Sequence, residues 1–317
     1  MIKKDVILIG CGLMSIEYYK VLESLNKNVE VIGRGNISAK KFEEKTKKEV
    51  YKKGLNNYLE NFQVPKFAIV AVGINQLYEV VLILVKAGIK NILLEKPGDI
   101  DIENILRIRN FAEENKCQIW IGYNRRFNAS ILKLKDLIIK DGGISSLFFE
   151  FTEFSEKIKE LNTPENIKNK WLIANSSHVI DLVFHLIGRP NPEKFFPIHR
   201  GGLGWHKASS IFVGSGESDK NIPFSYISDW NCPGRWGIKV MTQKKTYLLK
   251  PLEKLKFITR NHLDPIEYEL DDTNDENFKP GLYLQCKSFL EETNDNLCSI
   301  SEQIESFKYY YLIAGYY

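Results

Sequence analysis

The sequence predicts an α/β fold in which a doubly wound parallel sheet is followed by a C-terminal α+β domain with a mostly antiparallel sheet. The chain has 317 residues, 44% of them hydrophobic, which at about 150 residues per domain suggests two domains with substantial cores. In residues 1–123, short apolar strands alternate with helical segments, as in a parallel sheet covered on both faces. Later strand-like segments follow one another directly, which favours antiparallel pairing. We therefore predict one domain over residues 1–123 and a second over residues 124–317.

The N-terminal elements follow from apolar runs, helical periodicity and turn residues. Strands are predicted over residues 6–9, 29–32, 67–72, 89–94 and 118–123. Helices are predicted over residues 13–25 and 102–114. Another is predicted to begin near Ser38, its possible N-cap, and a further one follows the third strand and ends near Lys86. Residues 50–65 show no clear period and give no prediction.

The C-terminal elements begin with a helix over residues 128–140, which ends at Gly142 and Gly143. A strand over residues 144–154 and a helix over residues 177–186 follow. Further strands are predicted over residues 209–213, 223–230, 236–242 and 245–249, and final helices over residues 282–291 and 301–313.

Charge and composition narrow the class of partner. The chain has 44 Lys and Arg against 40 Asp and Glu, a net charge of +4, which argues against a dedicated nucleic-acid binder. Apolar runs fall short of the roughly 18 residues that span a bilayer, and the first residues lack a secretion-signal pattern. Five cysteines without a Cys-x-x-Cys pair favour a reducing, cytoplasmic location. We expect no nucleic-acid and no membrane partner.

A glycine turn between the first strand and the first helix indicates a dinucleotide site. Gly10 permits the tight turn, and Gly12 lets the backbone approach a pyrophosphate on the helix N-terminus, next to Leu13 and Met14. Val72, after the third strand, is predicted to line the same site. The alternative is an ordinary strand–helix turn.

The second strand is followed by Gly33 and Arg34, where an NAD site usually has an acidic residue. The Arg34 guanidinium suits a 2′-phosphate, and Ser38 and Lys40 could assist. A hydrogen bond to a charged group contributes about 1.5–3 kcal/mol, enough to set cofactor preference. We expect NADP(H) to be preferred, with NAD(H) possible; the alternative is that Arg34 is a solvated surface residue.

Glu95, Lys96 and Pro97 follow the fourth strand, at the sheet edge where α/β proteins bind ligands. Pro97 favours an extended Lys96, whose ammonium can then face the cleft and exchange a proton with a substrate hydroxyl. Glu95 and Lys96 are both predicted to border the cofactor. A surface lysine at a strand end is the alternative.

The order and spacing of Glu95-Lys96-Pro97 and Gly122-Tyr123-Asn124-Arg125-Arg126-Phe127 resemble the glucose–fructose oxidoreductase / inositol dehydrogenase (Gfo/Idh/MocA) family over essentially the whole chain. The resemblance implies a Rossmann domain and a large, mostly antiparallel C-terminal sheet that often mediates homo-oligomerisation. It implies that Lys96 is catalytic or orients the substrate, and that the Lys96–Pro97 bond is cis. Tyr123 and Asn124 are expected to line the cleft.

His178 and Asp181 share one face of the predicted helix, and they resemble the family's catalytic segment. The resemblance implies that His178 transfers protons and that Asp181 helps shape the substrate site. Ala174 departs from the family's Asp, which leaves Asn175 or Ser177 to compensate. A lone helical histidine is more often structural. His185 lies on nearly the same face, but nothing completes a metal site, and we expect no metal.

Other candidates have two interpretations each. Arg125 and Arg126 either bind a substrate anion or bridge the domains. Trp171, Trp230, Arg235 and Trp236 either grip a sugar or belong to the core.

These predictions together describe an NADP(H)-dependent oxidoreductase. Its expected substrate is a hydroxyl or keto carbon of a sugar, a nucleotide sugar or a cyclic polyol. The alternatives are a dinucleotide-binding sensor or regulator without turnover, and a reductase of an imine-type substrate.

Overall fold

The computed structural model describes residues 4–316, which divide into two compact units. The first unit contains residues 4–124 and 274–305, and the second contains residues 125–273 and 306–316. The division after residue 124 lies next to the expected boundary. Residues 274–305 also belong to the first unit, so a single boundary between two domains does not describe the chain. These residues are called the returning segment below.

Over these residues the chain forms fourteen strands: β1 (Val6–Ile9), β2 (Val29–Ile32), β3 (Phe67–Val70), β4 (Asn91–Leu94), β5 (Gln118–Ile121), β6 (Ser146–Phe151), β7 (Pro190–Arg200), β8 (Ile211–Ser218), β9 (Pro223–Asp229), β10 (Trp236–Met241), β11 (Lys245–Leu249), β12 (Lys256–Thr259), β13 (His262–Glu267) and β14 (Cys298–Ser299).

The same described residues form twelve α-helices: α1 (Leu13–Ser24), α2 (Asn36–Thr46), α3 (Leu55–Asn61), α4 (Ile74–Lys86), α5 (Ile102–Glu114), α6 (Ala129–Asp141), α7 (Ser155–Glu160), α8 (Glu165–Lys168), α9 (Ser177–Ile187), α10 (Thr273–Asn277), α11 (Leu282–Glu291) and α12 (Ile300–Ala314). A 3₁₀ turn covers Asn124–Phe127, and a π-helix covers Leu172–Ser176.

The first unit is built on a six-stranded sheet in the order β14-β5-β4-β3-β1-β2. The five strands from β5 to β2 are parallel, and β1 and β4 are buried along their whole length. Continuous burial explains why these strands are apolar without alternation. The predicted Rossmann-like parallel sheet is confirmed.

The returning segment completes this sheet and its helical cover. Strand β14 pairs antiparallel with β5, with Cys298 opposite Ile121. Helix α11 packs against α1 and buries Leu282, Cys286 and Phe289. A two-residue strand has no periodicity, so the sequence does not reveal this return.

The second unit contains an eight-stranded sheet in the order β13-β12-β11-β10-β6-β9-β8-β7. Strands β6 and β9 pair in parallel, and the remaining neighbours pair antiparallel. Inward positions of β6 bury Leu147, Phe149 and Phe151, while its other positions are half-buried. The mostly antiparallel sheet is confirmed, although β7, β12 and β13 are not predicted from the sequence.

One local expectation is corrected, and a region that gave no prediction contains a helix. Helix α2 begins at Asn36 with Gly35 as its N-cap, so Ser38 lies in the first turn and its hydroxyl donates to the Gly35 carbonyl at 3.2 Å. The region without a prediction contains α3. Within residues 4–316, none of the helices is both long enough and apolar enough to cross a membrane.

Candidate functional site

The carboxyl ends of β1, β2 and β3 border a pocket of about 420 Å³ in the first unit. It brings together six of the residues predicted to bind a dinucleotide: Gly10, Gly12, Gly33, Arg34, Ser38 and Val72. The other four, Leu13, Met14, Glu95 and Lys96, lie outside its lining. The sequence did not indicate Asn56 on α3, or Gln76 and Glu79 on α4, because these residues reach the pocket only through the packing of their helices.

Gly10 and Gly12 have different structural reasons to be glycine. Gly10 has φ +120°, and a Cβ there would overlap the carbonyl of Ala71 and lie 2.9 Å from Ser15 Oγ. Ser15 Oγ itself donates to that carbonyl at 3.2 Å, so this small residue joins the first turn of α1 to the end of β3. A Cβ at Gly12 would meet no described atom within 4 Å. The fold therefore requires glycine at residue 10, whereas residue 12 faces open space at the pocket.

Three helices have their N-cap residue in the lining of this pocket, and that residue is glycine each time: Gly12 for α1, Gly35 for α2 and Gly73 for α4. Within the described part of the chain, none of the three has a side-chain cap or an acidic residue in its first turn. Helix α5 differs, because Asp101 accepts from the Glu103 N–H. Free N–H groups and the helix dipole favour a negatively charged ligand, so the pocket fits the phosphates of a dinucleotide.

Arg34 is the exposed cation of this pocket lining. Glu30, the acidic residue within β2, forms an ion pair with Lys4 at 2.9 Å. The end of β2 therefore presents a guanidinium to the pocket. A guanidinium at this position can bind an anionic group of a ligand.

Cys11 lies between the two glycines of the turn and contributes no charge. Burial, with a smaller contribution from Glu43, raises the pKa of its thiol to about 11. A Cβ at Gly33 would overlap the Cys11 sulfur. Cys11 therefore acts as a packing residue between the ends of β1 and β2.

Lys96 follows β4, and the Lys96–Pro97 peptide bond is cis, as the resemblance implied. The preceding Glu95 accepts a hydrogen bond of 2.7 Å from the Tyr18 hydroxyl of α1. Burial raises the pKa of Glu95, while this hydrogen bond and the charges of Lys96 and Lys279 oppose the rise. Glu95 is thus anchored within the unit.

The returning segment fixes the chain on both sides of the β4 and β5 ends. Gln303, fully buried, donates from Nε2 to the Pro97 carbonyl at 2.9 Å and to the Tyr123 hydroxyl at 3.1 Å. Asn124 Nδ2 donates to the Pro280 carbonyl at 2.7 Å. Tyr123 and Asn124 are both buried. Gln303 has no sequence signal, because it is about 200 residues from its partners.

In the second unit, His178 lies in the first turn of α9 and is 9% exposed. Its ring centroid is 6.1 Å from that of Trp236. The Arg125 guanidinium stacks on the same indole at 4.9 Å and pairs with Glu253 at 2.7 Å. Trp236 therefore contacts both an imidazole and a guanidinium.

Asp181 and Arg126 form a buried ion pair that the sequence did not predict. Arg126 donates from Nε and Nη2 to the two carboxylate oxygens of Asp181 at 2.8 and 2.6 Å, and both side chains are 2% exposed. This buried bidentate pair holds the Asp181 carboxylate in a fixed position. Trp230 is a core residue whose Nε1 donates to the Phe151 carbonyl. Among the described side chains, no group of three His, Cys, Asp or Glu residues could hold a metal ion.

Comparisons with known proteins agree with this fold. Residues 4–123 match the model of the Gfo/Idh/MocA oxidoreductase family, described as an NAD-binding Rossmann fold. A sequence comparison with curated proteins finds no match.

Three solved structures illustrate the likeness of the whole chain. The chain is 13% identical to UDP-N-acetylglucosamine 3-dehydrogenase GnnA from Acidithiobacillus ferrooxidans, with a TM-score of 0.74 over 99% of this chain and 98% of that one. The WlbA dehydrogenase from Chromobacterium violaceum, solved with NADH and UDP-GlcNAcA, is 16% identical, with a TM-score of 0.72 over 98% and 92%. The super-repressor mutant of Gal80p from Saccharomyces cerevisiae is 13% identical, with a TM-score of 0.77 over 97% and 94%.

At these identities the three likenesses establish a shared fold. The family match rests on the unit that carries the glycine turn and the parallel sheet. Residues 4–123, which carry these features, therefore resemble the Gfo/Idh/MocA oxidoreductases and their NAD-binding Rossmann fold.

Proposed function

We propose that this protein is an NADP(H)-dependent oxidoreductase that acts on a hydroxyl or keto carbon of a sugar, a nucleotide sugar or a cyclic polyol. The observation that carries the proposal is the pocket, where open space at Gly12 meets helix N-termini without side-chain caps. The substrate class is supported by GnnA and WlbA, which share the fold. The name of GnnA contains a nucleotide sugar, and the structure of WlbA was solved with one. When bound, a nicotinamide dinucleotide supplies the acceptor or donor of a hydride.

The cofactor preference rests on Arg34. The start of α1, with Gly12, Leu13 and Met14, is proposed to bind the pyrophosphate, and Arg34 and Ser38 the 2′-phosphate. Arg34→Ala is expected to weaken NADPH binding about tenfold or more, because it removes a charge-assisted hydrogen bond. NADH binding should change little.

The measurement is a fluorescence titration of both reduced dinucleotides. Arg107→Ala, at an exposed arginine of α5, is the matched control and should bind both like the wild type. An equal loss for NADPH and NADH in Arg34→Ala would contradict the assignment of the 2′-phosphate. No affinity of the wild type for any nicotinamide dinucleotide would end the proposal.

Proton transfer is assigned to Lys96 and His178. The Lys96 ammonium is proposed to exchange a proton with the substrate oxygen, and His178 to serve as the second acid or base. Tyr123 and Asn124 remain proposed substrate-lining residues whose side chains the returning segment fixes. Asp181, whose carboxylate Arg126 holds through both oxygens, remains proposed to shape the substrate site.

Turnover tests these assignments. NADPH oxidation is followed against a panel of keto-sugars, including nucleotide-linked ones. Lys96→Ala and His178→Ala should each lower kcat by roughly 100-fold or more while NADPH still binds. Lys90→Ala is the control, because Lys90 is an exposed lysine at the opposite end of β4. Near-normal turnover in both variants would remove the mechanism.

A regulator without turnover is the second candidate. The observation that favours it is the likeness to the Gal80p super-repressor, at a TM-score of 0.77. NADPH binding without oxidation across the sugar panel, extended to imines, would favour this alternative. Oxidation with an imine alone would favour the third expectation, a reductase of a non-sugar substrate.

Self-association is proposed to use the sheet of the second unit. Ile198 of β7 and Ile227 of β9 are exposed and lie in one row across Val213 of β8. An apolar row on an open sheet face suits a second copy of the chain. Light scattering should give more than one copy per particle, and a monomer at micromolar concentration would contradict this.

The proposed location is the cytoplasm, where thiols stay reduced.

A further inference from the structure

The second unit contains a buried carboxylate that the proposed function does not use. Glu153 lies two residues beyond the end of β6 and is 8% exposed. It accepts a hydrogen bond of 2.6 Å from the Ser176 hydroxyl, and Asn175 Nδ2 lies 3.0 and 3.2 Å from its two oxygens. Both donors belong to the π-helix that leads into α9.

Because both donors lie in the π-helix, the contact does more than supply hydrogen bonds to one buried carboxylate. A π-helical turn is rare, and such turns are frequent at functional sites. Residues 172–180 contain no acidic residue, so the carboxylate at this turn comes from another element of the unit. A buried carboxylate is stable only when it is hydrogen-bonded or paired, and here two donors of the turn help to meet that requirement.

Asn175 connects Glu153 to His178. Asn175 lies three residues before His178, across the junction of the π-helix and α9. Trp236 contacts the His178 ring from β10, which pairs with β6 so that Trp236 lies opposite Phe151. The end of β6 that carries Glu153 is thus the end of the sheet that meets the start of α9.

The charged groups around His178 can be named from each element packed near it. Its own helix carries Asp181, which is paired with Arg126, and His185 two turns later, which is 3.3 Å from Lys135. On the Trp236 side, Arg125 pairs with Glu253. Lys170, before the π-helix, lies over the rings of Tyr311 and Tyr316, and Arg235 precedes Trp236. Glu153 is the described carboxylate that is hydrogen-bonded to the turn before His178.

We propose that Glu153 is the positioning residue of His178. Its hydrogen bonds to Asn175 and Ser176 fix the turn from which His178 projects, and its negative charge favours the protonated imidazole. This inference rests on the proposed role of His178 as an acid or base, since only a titrating imidazole gains from a nearby carboxylate.

The test measures the titration of His178 directly by NMR of protein labelled with ¹³C-histidine, with the His178 signal assigned from His178→Gln. In Glu153→Gln, an isosteric neutral change, the midpoint should move to lower pH by about 0.5 or more. Ser176→Ala is the matched control, because it removes one hydrogen bond and keeps both the charge and the Asn175 contact. Its midpoint should stay closer to that of the wild type. An unchanged midpoint in Glu153→Gln overturns the proposal.

A second variant tests the proposal if Glu153→Gln does not keep the near-UV circular dichroism of the wild type. Asn175→Leu combined with Ser176→Ala removes the donors from the helix side, which favours the neutral carboxyl. The His178 midpoint is again expected to move to lower pH, and an unchanged one overturns the inference.

Dinucleotide titration of the wild type separates the two proposals. Binding with an unmoved His178 midpoint defeats only the role of Glu153, whereas a moved midpoint without binding defeats only the proposed function.

Discussion

At the scale of single residues, the glycine turn separates a requirement of the fold from a requirement of the ligand. Gly10→Ala should lower the free energy of unfolding by about 1–3 kcal/mol, because the left-handed φ and the overlap with Ala71 both penalise a side chain. Gly12→Ala should change stability by less than about 1 kcal/mol, because its Cβ meets open space. It should weaken NADPH binding about tenfold, since the methyl group occupies the approach of the pyrophosphate.

Urea unfolding and dinucleotide titration of both variants check this pair. The two glycines serve as controls for each other. A large loss of stability in Gly12→Ala, or unchanged NADPH affinity in that variant, would contradict the division of roles.

His206 gives the second unit a dependence on pH. Burial lowers the pKa of this histidine to about 4, although its contact with the Ser209 carbonyl opposes that effect. In the folded protein its ring nitrogens lie 2.6 Å from the Ser209 oxygen and 2.7 Å from the Tyr316 hydroxyl. The unfolded chain binds a proton near pH 6.5, so it holds more protons than the folded chain between pH 6.5 and about 4.

Stability should therefore be intact above pH 6.5 and fall as the pH drops towards 4, by about 3 kcal/mol from this residue. Urea unfolding of the wild type and of His206→Gln at pH 7 and pH 4.5 measures the effect. The variant keeps a polar side chain that does not titrate, so acidification should cost it less stability. An equal loss in both proteins would show that other groups control the acid response.

At the scale of elements, the Arg126–Asp181 pair joins α9 to the 3₁₀ turn that starts the second unit. Asp181→Asn leaves the Arg126 charge buried without its partner carboxylate. The expected loss is about 3–5 kcal/mol of unfolding free energy. Denaturant unfolding provides the measurement, and Arg126→Met combined with Asp181→Leu is the control that removes both charges and should recover part of the loss. If Asp181→Asn instead had wild-type stability and a raised KM, the result would support the expected contact of Asp181 with the substrate.

The elements that the sequence predicts well are those whose burial is continuous or periodic. The five parallel strands follow from continuous apolar runs, and α5 has the bounds that were predicted for it. The lining of the pocket was predictable where a residue type has a backbone reason, as at Gly10 and Gly12, or a charge reason, as at Arg34. Asn56, Gln303 and Glu153 could not be predicted, because each reaches its neighbours through long-range packing that leaves no local pattern. The paired state of Asp181 was missed for the same reason.

At the scale of the whole molecule, the first unit is assembled from two separate stretches of chain. A fragment of residues 1–123 lacks α11 and β14, and therefore exposes the face of α1 that α11 covers. We expect it to unfold without a sharp thermal transition, since small units with incomplete cores are only marginally stable.

The matched control joins residues 1–124 to residues 274–305 through a short Gly/Ser linker of about 10 residues. Asn124 already contacts Pro280, so the linker has a short distance to span. This polypeptide should unfold cooperatively in a circular dichroism melt. A cooperative transition of the same Tm in residues 1–123 alone would show that the returning segment is dispensable.

The returning segment also sets the order in which a newly made chain can mature. Domains usually fold in turn as they leave the ribosome, with the N-terminal one first. Here the edge strand and the last covering helix of the first sheet are translated after nearly all of the second unit. The nucleotide-binding unit therefore waits, partly uncovered, until synthesis has passed residue 305, and that interval is when a nascent polypeptide of this kind depends most on chaperones.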